Sequence, residues 1–191
     1  MTSHESFSHS LVHSKLWLCE KLEQALDNES IKNPAVNILA SWDSLLAFML
    51  LTRRPKFYGV VNAYDIDMNA TNSADKLCDY WKYEYPKVYN HTRDIRTLDF
   101  NNTGAESIFI NCSVDQIDGT DWYDVIPDNR LVCLQTTDLP IGTSEWHIQQ
   151  SYSDKAVFTE TYKVRRLIYC DSLDINYEHL KFKRHMMIGI K

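Results

Sequence analysis

Three acids and one loop are the parts of this chain whose residue types and spacing can do chemistry. Asp65 and Asp67 close the apolar run Val60-Val61-Asn62-Ala63-Tyr64, and Asp94 follows the stretch "KVYNHTR". A carboxylate directly after a buried strand can accept bonds from both ribose hydroxyls of an adenosine moiety, which is one reading of Asp65. The competing reading is a helix N-cap; with two acids present, one can bind while the other caps. Asp94 can bond an adenine amino group or stand as a solvated turn acid. The loop is Ala40-Ser41-Trp42-Asp43-Ser44, again at the end of an apolar run, and it contains no glycine. It therefore does not match a pyrophosphate cradle, where backbone must approach phosphate closely. A cofactor without phosphates demands less, and its positively charged amino group would be favoured by Asp43. That points to S-adenosylmethionine rather than NAD.

For such residues to meet, strands must deliver them to one edge of a sheet. Residues 10–26, "SLVHSKLWLCEKLEQAL", carry leucines at helical spacing with Glu20, Lys21, Glu23 and Gln24 outward, and read as an amphipathic N-terminal helix within a 1–30 extension. "AVNILAS" reads as a buried strand. "SWDSLLAFMLLTRR" reads as a helix with Ser41 or Asp43 as N-cap and basic residues at its far end. "FYGVVNAYDID" is the next strand, and "NATNSADKLCDYWKYEY" a helix closed by Pro86. "KVYNHTRDIRTLD" holds a short strand, "ESIFINCS" and "RLVCLQTTDL" two more, with a helical turn at "DWYDVIPDN" between them. "YKVRRLIYCDSLDI" and "FKRHMMIGIK" form a terminal β pair. Alternating strands and helices predict one α/β domain over 1–191, Rossmann-like and doubly wound. Its sheet is mostly parallel, with an antiparallel C-terminal strand. Ligands in such a sheet bind at the carboxyl ends of the strands, where strand order reverses.

Composition narrows the classes. The chain has 191 residues, 44% hydrophobic and 24% charged, with a net charge of −6. This suits one globular domain and disfavours a primary nucleic-acid or anionic-membrane binder. No apolar run approaches the roughly 18 residues of a membrane helix, and the N-terminus lacks signal-peptide regions, so a cytoplasmic setting is expected. Five separated cysteines, without a C-x-x-C, suggest neither a zinc site nor a disulfide framework. His9 and His13 have helical metal-binding spacing but no third ligand. The aromatics of 80–89 read as sheet-edge packing or a subunit contact, hence a possible protein partner or homo-oligomer.

The order of these motifs resembles small Rossmann-like class I S-adenosylmethionine-dependent methyltransferase-like proteins common in bacteriophage genomes, from about residue 33 to 191. In that group the first strand ends in a pattern like I-L-G-S-W-Y-G, to which "ILASWDS" is similar, and the second in D-I-D, here Asp65-Ile66-Asp67. An asparagine-centred I-N-T/C-S segment before E-H compares with "FINCSVDQI", and L-Q-S-N with "CLQTTDL". A histidine follows, like His147, and the ending R-F-x-x-I-G-K compares with "KRHMMIGIK". The chain departs from this pattern where Ala40 and Ser44 replace both loop glycines, Asp43 replaces the aromatic, and Val114-Asp115 replaces the acid–histidine pair.

The resemblance implies cofactor contacts from Ala40, Ser41, Trp42, Asp65 and Asp94, with Asn111, Asp115 and His147 around a methyl acceptor. Methyl transfer from a sulfonium is a direct displacement, needing alignment and removal of a proton. Asn111 would orient the acceptor and Asp115 or His147 take the proton. Cys112 beside Ser113 has no base partner fixed by the sequence, and a nucleophile there is not expected. The departures leave a second expectation open, an inactive relative serving as a binding or assembly module.

Overall fold

The computed structural model describes residues 8–79, 88–143, 147–177 and 180–191. Most of the aromatic run 80–89 lies outside these. Seven strands form a single sheet: β1 (Ala35–Leu39), β2 (Val60–Asp65), β3 (Val88–Thr92), β4 (Ile108–Asn111), β5 (Leu131–Thr137), β6 (Arg166–Tyr177) and β7 (Leu180–Ile190). Their spatial order is β3-β2-β1-β4-β5-β7-β6. β1 to β5 pair in parallel, whereas β7 runs antiparallel to both β5 and β6. The predicted α/β architecture and antiparallel final strand are therefore present. Strand order reverses beside β1, which has β2 on one side and β4 on the other.

The central strands are apolar because helices and loops cover both faces. On one face Val36, Ile38, Val61, Ile108, Ile110, Cys133 and Ile188 pack against α1 (His9–Asn28) and α2 (Leu45–Arg53). α3 (Met68–Cys78) follows β2, and Thr71 on it bonds the β3 residue Thr92 at 2.6 Å. On the other face Leu39, Phe109, Val132, Leu134 and Met187 pack beneath α4 (Asp121–Asp124) and α5 (Lys155–Thr161), with Trp122, Phe158 and Tyr162 wholly buried. Each such aromatic contributes about 1.5–3 kcal/mol from burial alone.

Three local outcomes differ from the sequence reading. α2 begins at Leu45, after Ser44, and Asp43 receives the Leu45 amide at 3.3 Å; Ser41 does not cap it. α5 was not expected, although Asp154 caps it by accepting the amides of Ala156 and Val157. That signal was in the sequence, in Asp154 followed by a short run of helix-compatible residues. The third difference is the inward face of α1. Its second half is apolar, with Leu18, Leu22 and Leu26 fully buried, but its first half buries Ser10, Ser14 and Lys15 while Leu16 is 41% exposed.

α1 is clamped to α2 by Arg53, which donates to both oxygens of Glu23 at 2.9 Å, and by Arg54 to Asp27 at 2.9 Å. No helix among the described residues is long and apolar enough to cross a membrane.

Candidate active site

The loop after β1 takes glycine-like conformations without glycine. Ala40, Trp42 and Ser44 have φ of 52°, 53° and 59°, a region that costs a side-chain-bearing residue about 1–2 kcal/mol. Hydrogen bonds hold it there. The Ser41 amide donates to the Tyr64 carbonyl at 2.9 Å, and the Trp42 amide to Asp65 Oδ2 at 2.7 Å. The Ser44 hydroxyl donates to Asn90 Oδ1 at 2.7 Å, and Asn90 in turn to Asp75 at 2.8 Å. The loop thus takes a glycine-like backbone shape at the expense of strain.

Of the acid pair, Asp67 takes the capping role and Asp65 the strand-end position. Asp67 caps α3, accepting the Asn69 amide at 2.8 Å. Asp65 ends β2 and faces the loop, with Oδ1 accepting the Asp67 amide at 2.9 Å and Oδ2 that of Trp42. Burial raises its carboxyl above the ordinary range, opposed by these amides. Each carboxylate oxygen has a second lone-pair direction, so capacity remains for two further donors.

A cleft of about 430 Å3 opens here, bringing together Ala40, Asp65, Asp94 and His147 from four separate connections. Ile66, 71% exposed, presents an apolar surface beside Asp65. Asp94 accepts the Arg96 amide at 3.0 Å, while Arg96 Nε bonds Asp121 at 3.0 Å and its Nη2 the Asp118 carbonyl at 2.5 Å. Arg96 thus ties the turn after β3 to the segment before α4, forming one wall. Gln116, Ile117 and Gln149 line the wall beyond β4.

His147 lies on a loop fastened to that wall. The amides of Gln149 and Gln150 both donate to the Asp115 carbonyl, at 2.7 and 3.0 Å. The Gln150 side-chain amide bonds the carbonyls of Ile117 and Gly119. His147 itself is exposed, with φ 51°.

Four other predicted residues do not line the cleft. Trp42 is half-buried, contributing its amide to Asp65. Ser41 is buried, its hydroxyl without a partner among the described residues. Asn111, at the carboxyl end of β4, is fully buried; its Oδ1 accepts the Ser113 amide at 2.9 Å, whereas Nδ2 has no partner among the described residues. Asp115 is 1% exposed and paired with Arg184 of β7 at 3.3 Å. Its burial raises its carboxyl, the Arg184 guanidinium opposing. A carboxylate closed off in this way lacks the contact with an acceptor that the sequence reading gave it. Its carbonyl instead anchors the His147 loop.

Arg184 was missed from sequence, because one arginine on a terminal strand carries no local signal. It donates through Nη2 to the Cys112 carbonyl at 2.6 Å. The buried thiols are pushed up, Cys19 to about 12 and Cys78 to about 11, which keeps them protonated. The exposed His9 and His13 rings lie 6.0 Å apart.

No family model matches this chain, and no curated protein matches it by sequence. Solved structures do match by fold. N-methyltransferase NodS from Bradyrhizobium japonicum, in complex with S-adenosyl-L-homocysteine, superimposes with a TM-score of 0.68 at 8% identity, over 99% of this chain and 92% of that one. Magnesium protoporphyrin IX methyltransferase ChlM from Synechocystis, with bound S-adenosylmethionine, gives 0.61 at 11% identity over 94% and 81%. The YcgJ protein of Bacillus subtilis gives 0.65 at 12% over 94% and 98%. The chain has the Rossmann-like fold of class I S-adenosylmethionine-dependent methyltransferases.

Proposed function

We propose that the cleft binds S-adenosylmethionine and that the protein transfers its methyl group to an acceptor. The observation that carries this reading is the position of the Asp65 carboxylate. It sits at the end of β2, in a cleft at the carboxyl edge of this sheet, with lone pairs left for two hydroxyls. The polar atoms left unpartnered at the point of strand reversal also suit a bound cofactor. Ser41 Oγ and Asn111 Nδ2 lie at the ends of the two adjacent strands β1 and β4, and a buried polar group without a partner costs about 1–3 kcal/mol. The NodS and ChlM structures hold S-adenosylhomocysteine and S-adenosylmethionine in the same fold.

On this reading Asp65 holds the ribose, Ile66 lies against the adenine face, and the free oxygen of Asp94 accepts its amino group. Ala40, Ser41 and Trp42 shape the loop beside the amino-acid end. The bound cofactor supplies an electrophilic methyl on a positively charged sulfur. Asn111 Nδ2 orients the acceptor atom, and His147 accepts the proton that atom loses. Asp115 positions the His147 loop through its carbonyl. The motif resemblance supports a phage origin and a host-cytoplasm setting.

A second reading, a binding module without turnover, is favoured by the sealed Asp115 and by the strained Ala40 in the cleft lining. Calorimetry with S-adenosylmethionine and S-adenosylhomocysteine tests both. One-to-one binding lost in Asp65→Ala supports the cofactor reading; no heat at high cofactor concentration sinks it. Binding that persists while His147→Ala changes no cofactor turnover across candidate acceptors favours the module.

A further inference from the structure

The two histidines of α1 are a chemistry-bearing pair that the cleft does not use. His9 opens the helix and His13 lies four residues on, so the two side chains stand on one stripe, a turn apart. Both are exposed, with ring centroids 6.0 Å apart and planes tilted by 51°. Neither ring makes a hydrogen bond or an ion pair among the described residues. The helix backbone fixes their separation, and rotation about the two side chains turns one nitrogen of each toward a shared point. This end of α1 also lacks the usual supports. Ser8 stands at the cap position, but its hydroxyl meets Ser10 Oγ at 3.3 Å and no backbone amide. No acid lies in the first turn, so a link between the first two turns has stability to add.

We propose that His9 and His13 chelate one divalent transition ion of the zinc and copper type, each giving one imidazole nitrogen, with water in the remaining positions. Neutral imidazole suits such ions, whereas hard ions such as magnesium prefer oxygen. Two histidines at i and i+4 on one helix face are the pairing that helical zinc motifs use. The further protein ligand of those motifs is missing. Glu20, the next acid along the exposed stripe, lies about 10 Å beyond His13 along the axis and accepts from Lys21 and Gln24. No group of three or more His, Cys, Asp or Glu is gathered for a metal among the described residues. The site is therefore open and exchangeable, unlike a closed structural zinc site. Chelation pins the first two turns of the helix whose Ser14 bonds Gln135 of β5 at 3.3 Å. It shares no residue with the cleft and stands whether or not the cleft binds S-adenosylmethionine.

The test titrates zinc chloride into the whole chain, first stripped of metal with chelator. Calorimetry and thermal unfolding are run on wild type, His9→Gln, His13→Gln and the double variant. The expected result is that zinc binds wild type and raises its melting point, because the pair is held at this spacing only in the folded helix. Magnesium should do neither. Each single variant should weaken zinc at least about tenfold, a loss that even an outer-shell partner of a metal commonly causes, and the double variant should lose the melting shift. In chelator all the variants should melt with wild type, since the exchanged side chains are exposed. A lost zinc response is then not a loss of fold.

No zinc effect in wild type overturns the site, as does an equal effect in the double variant, where other groups would hold the ion. A loss confined to one of the two single variants overturns the chelate, because one histidine would then act without the other. One ion per two chains, with a dimer in sedimentation that the double variant does not form, supports the pair as ligands and gives the open positions to a second copy of the chain.

Discussion

The two sides of the strand reversal treat charge in opposite ways. Beside β2, Asp65 is held by backbone amides of Trp42 and Asp67 and opens onto a cleft. Beside β4 and β7, Asp115 and Arg184 are almost without solvent and pair with each other. The first side stores its cost in backbone torsion, at Ala40, Trp42 and Ser44. The second stores it in desolvated charge. Backbone strain and desolvated charge are thus two separate costs carried at the ends of neighbouring strands.

Removing one partner of the buried pair should be the largest single effect. Arg184→Met leaves Asp115 buried and unpaired, and should lower unfolding free energy by about 3–5 kcal/mol. Urea denaturation checks it, and a near-neutral outcome would break the contrast by showing that this side is not electrostatically committed. On the open side, Asp65→Ala should weaken S-adenosylhomocysteine about 100-fold, the worth of two hydrogen bonds to a charged acceptor, with a smaller loss of stability from the Trp42 amide. Retained affinity in calorimetry would show that the cleft does not use its carboxylate.

Smaller effects sharpen the same comparison. Ala40→Gly should stabilise the protein by about 1 kcal/mol, because φ of 52° is natural only to glycine. A destabilised variant would mean that the methyl group's packing outweighs the torsional strain. The smallest effect is in the pH dependence. Burial raises the folded Asp65 carboxyl above its unfolded value. The folded state therefore holds more protons between those two values, and stability falls as pH rises through that window. Asp65→Asn should flatten that part of the profile in urea unfolding at several pH values; an unchanged slope would assign it to other carboxyls.

Much of the sheet could be read along the chain. The apolar runs ending in Ala40, Asp65, Asn111 and Thr137 are strands because both faces are covered, and burial leaves a local compositional trace. The cap at Asp67 was also legible, since capping is set by neighbours two residues away. α5 was not read, although Asp154 announced it, because a seven-residue helix gives too little periodicity. The inward turn of Lys15 and outward turn of Leu16 had no local signal at all. Helical spacing alone assigned the leucine to the core, and only the packing of α1 over β6 and β7 reversed that.

By itself the sequence determined the order of elements, the acid at the end of β2 and the absence of loop glycines, all consequences of short-range sterics and burial. Tertiary structure alone decided that the loop keeps a glycine-like backbone, because the hydrogen bonds that hold it come from Tyr64, Asp65 and Asn90, up to 46 positions away. It also decided that Asp115 is enclosed by Arg184, 69 positions later, and that Lys15 of α1 turns inward. Desolvation of a charge depends on what the fold lays over it, and residues distant in the chain supply that cover.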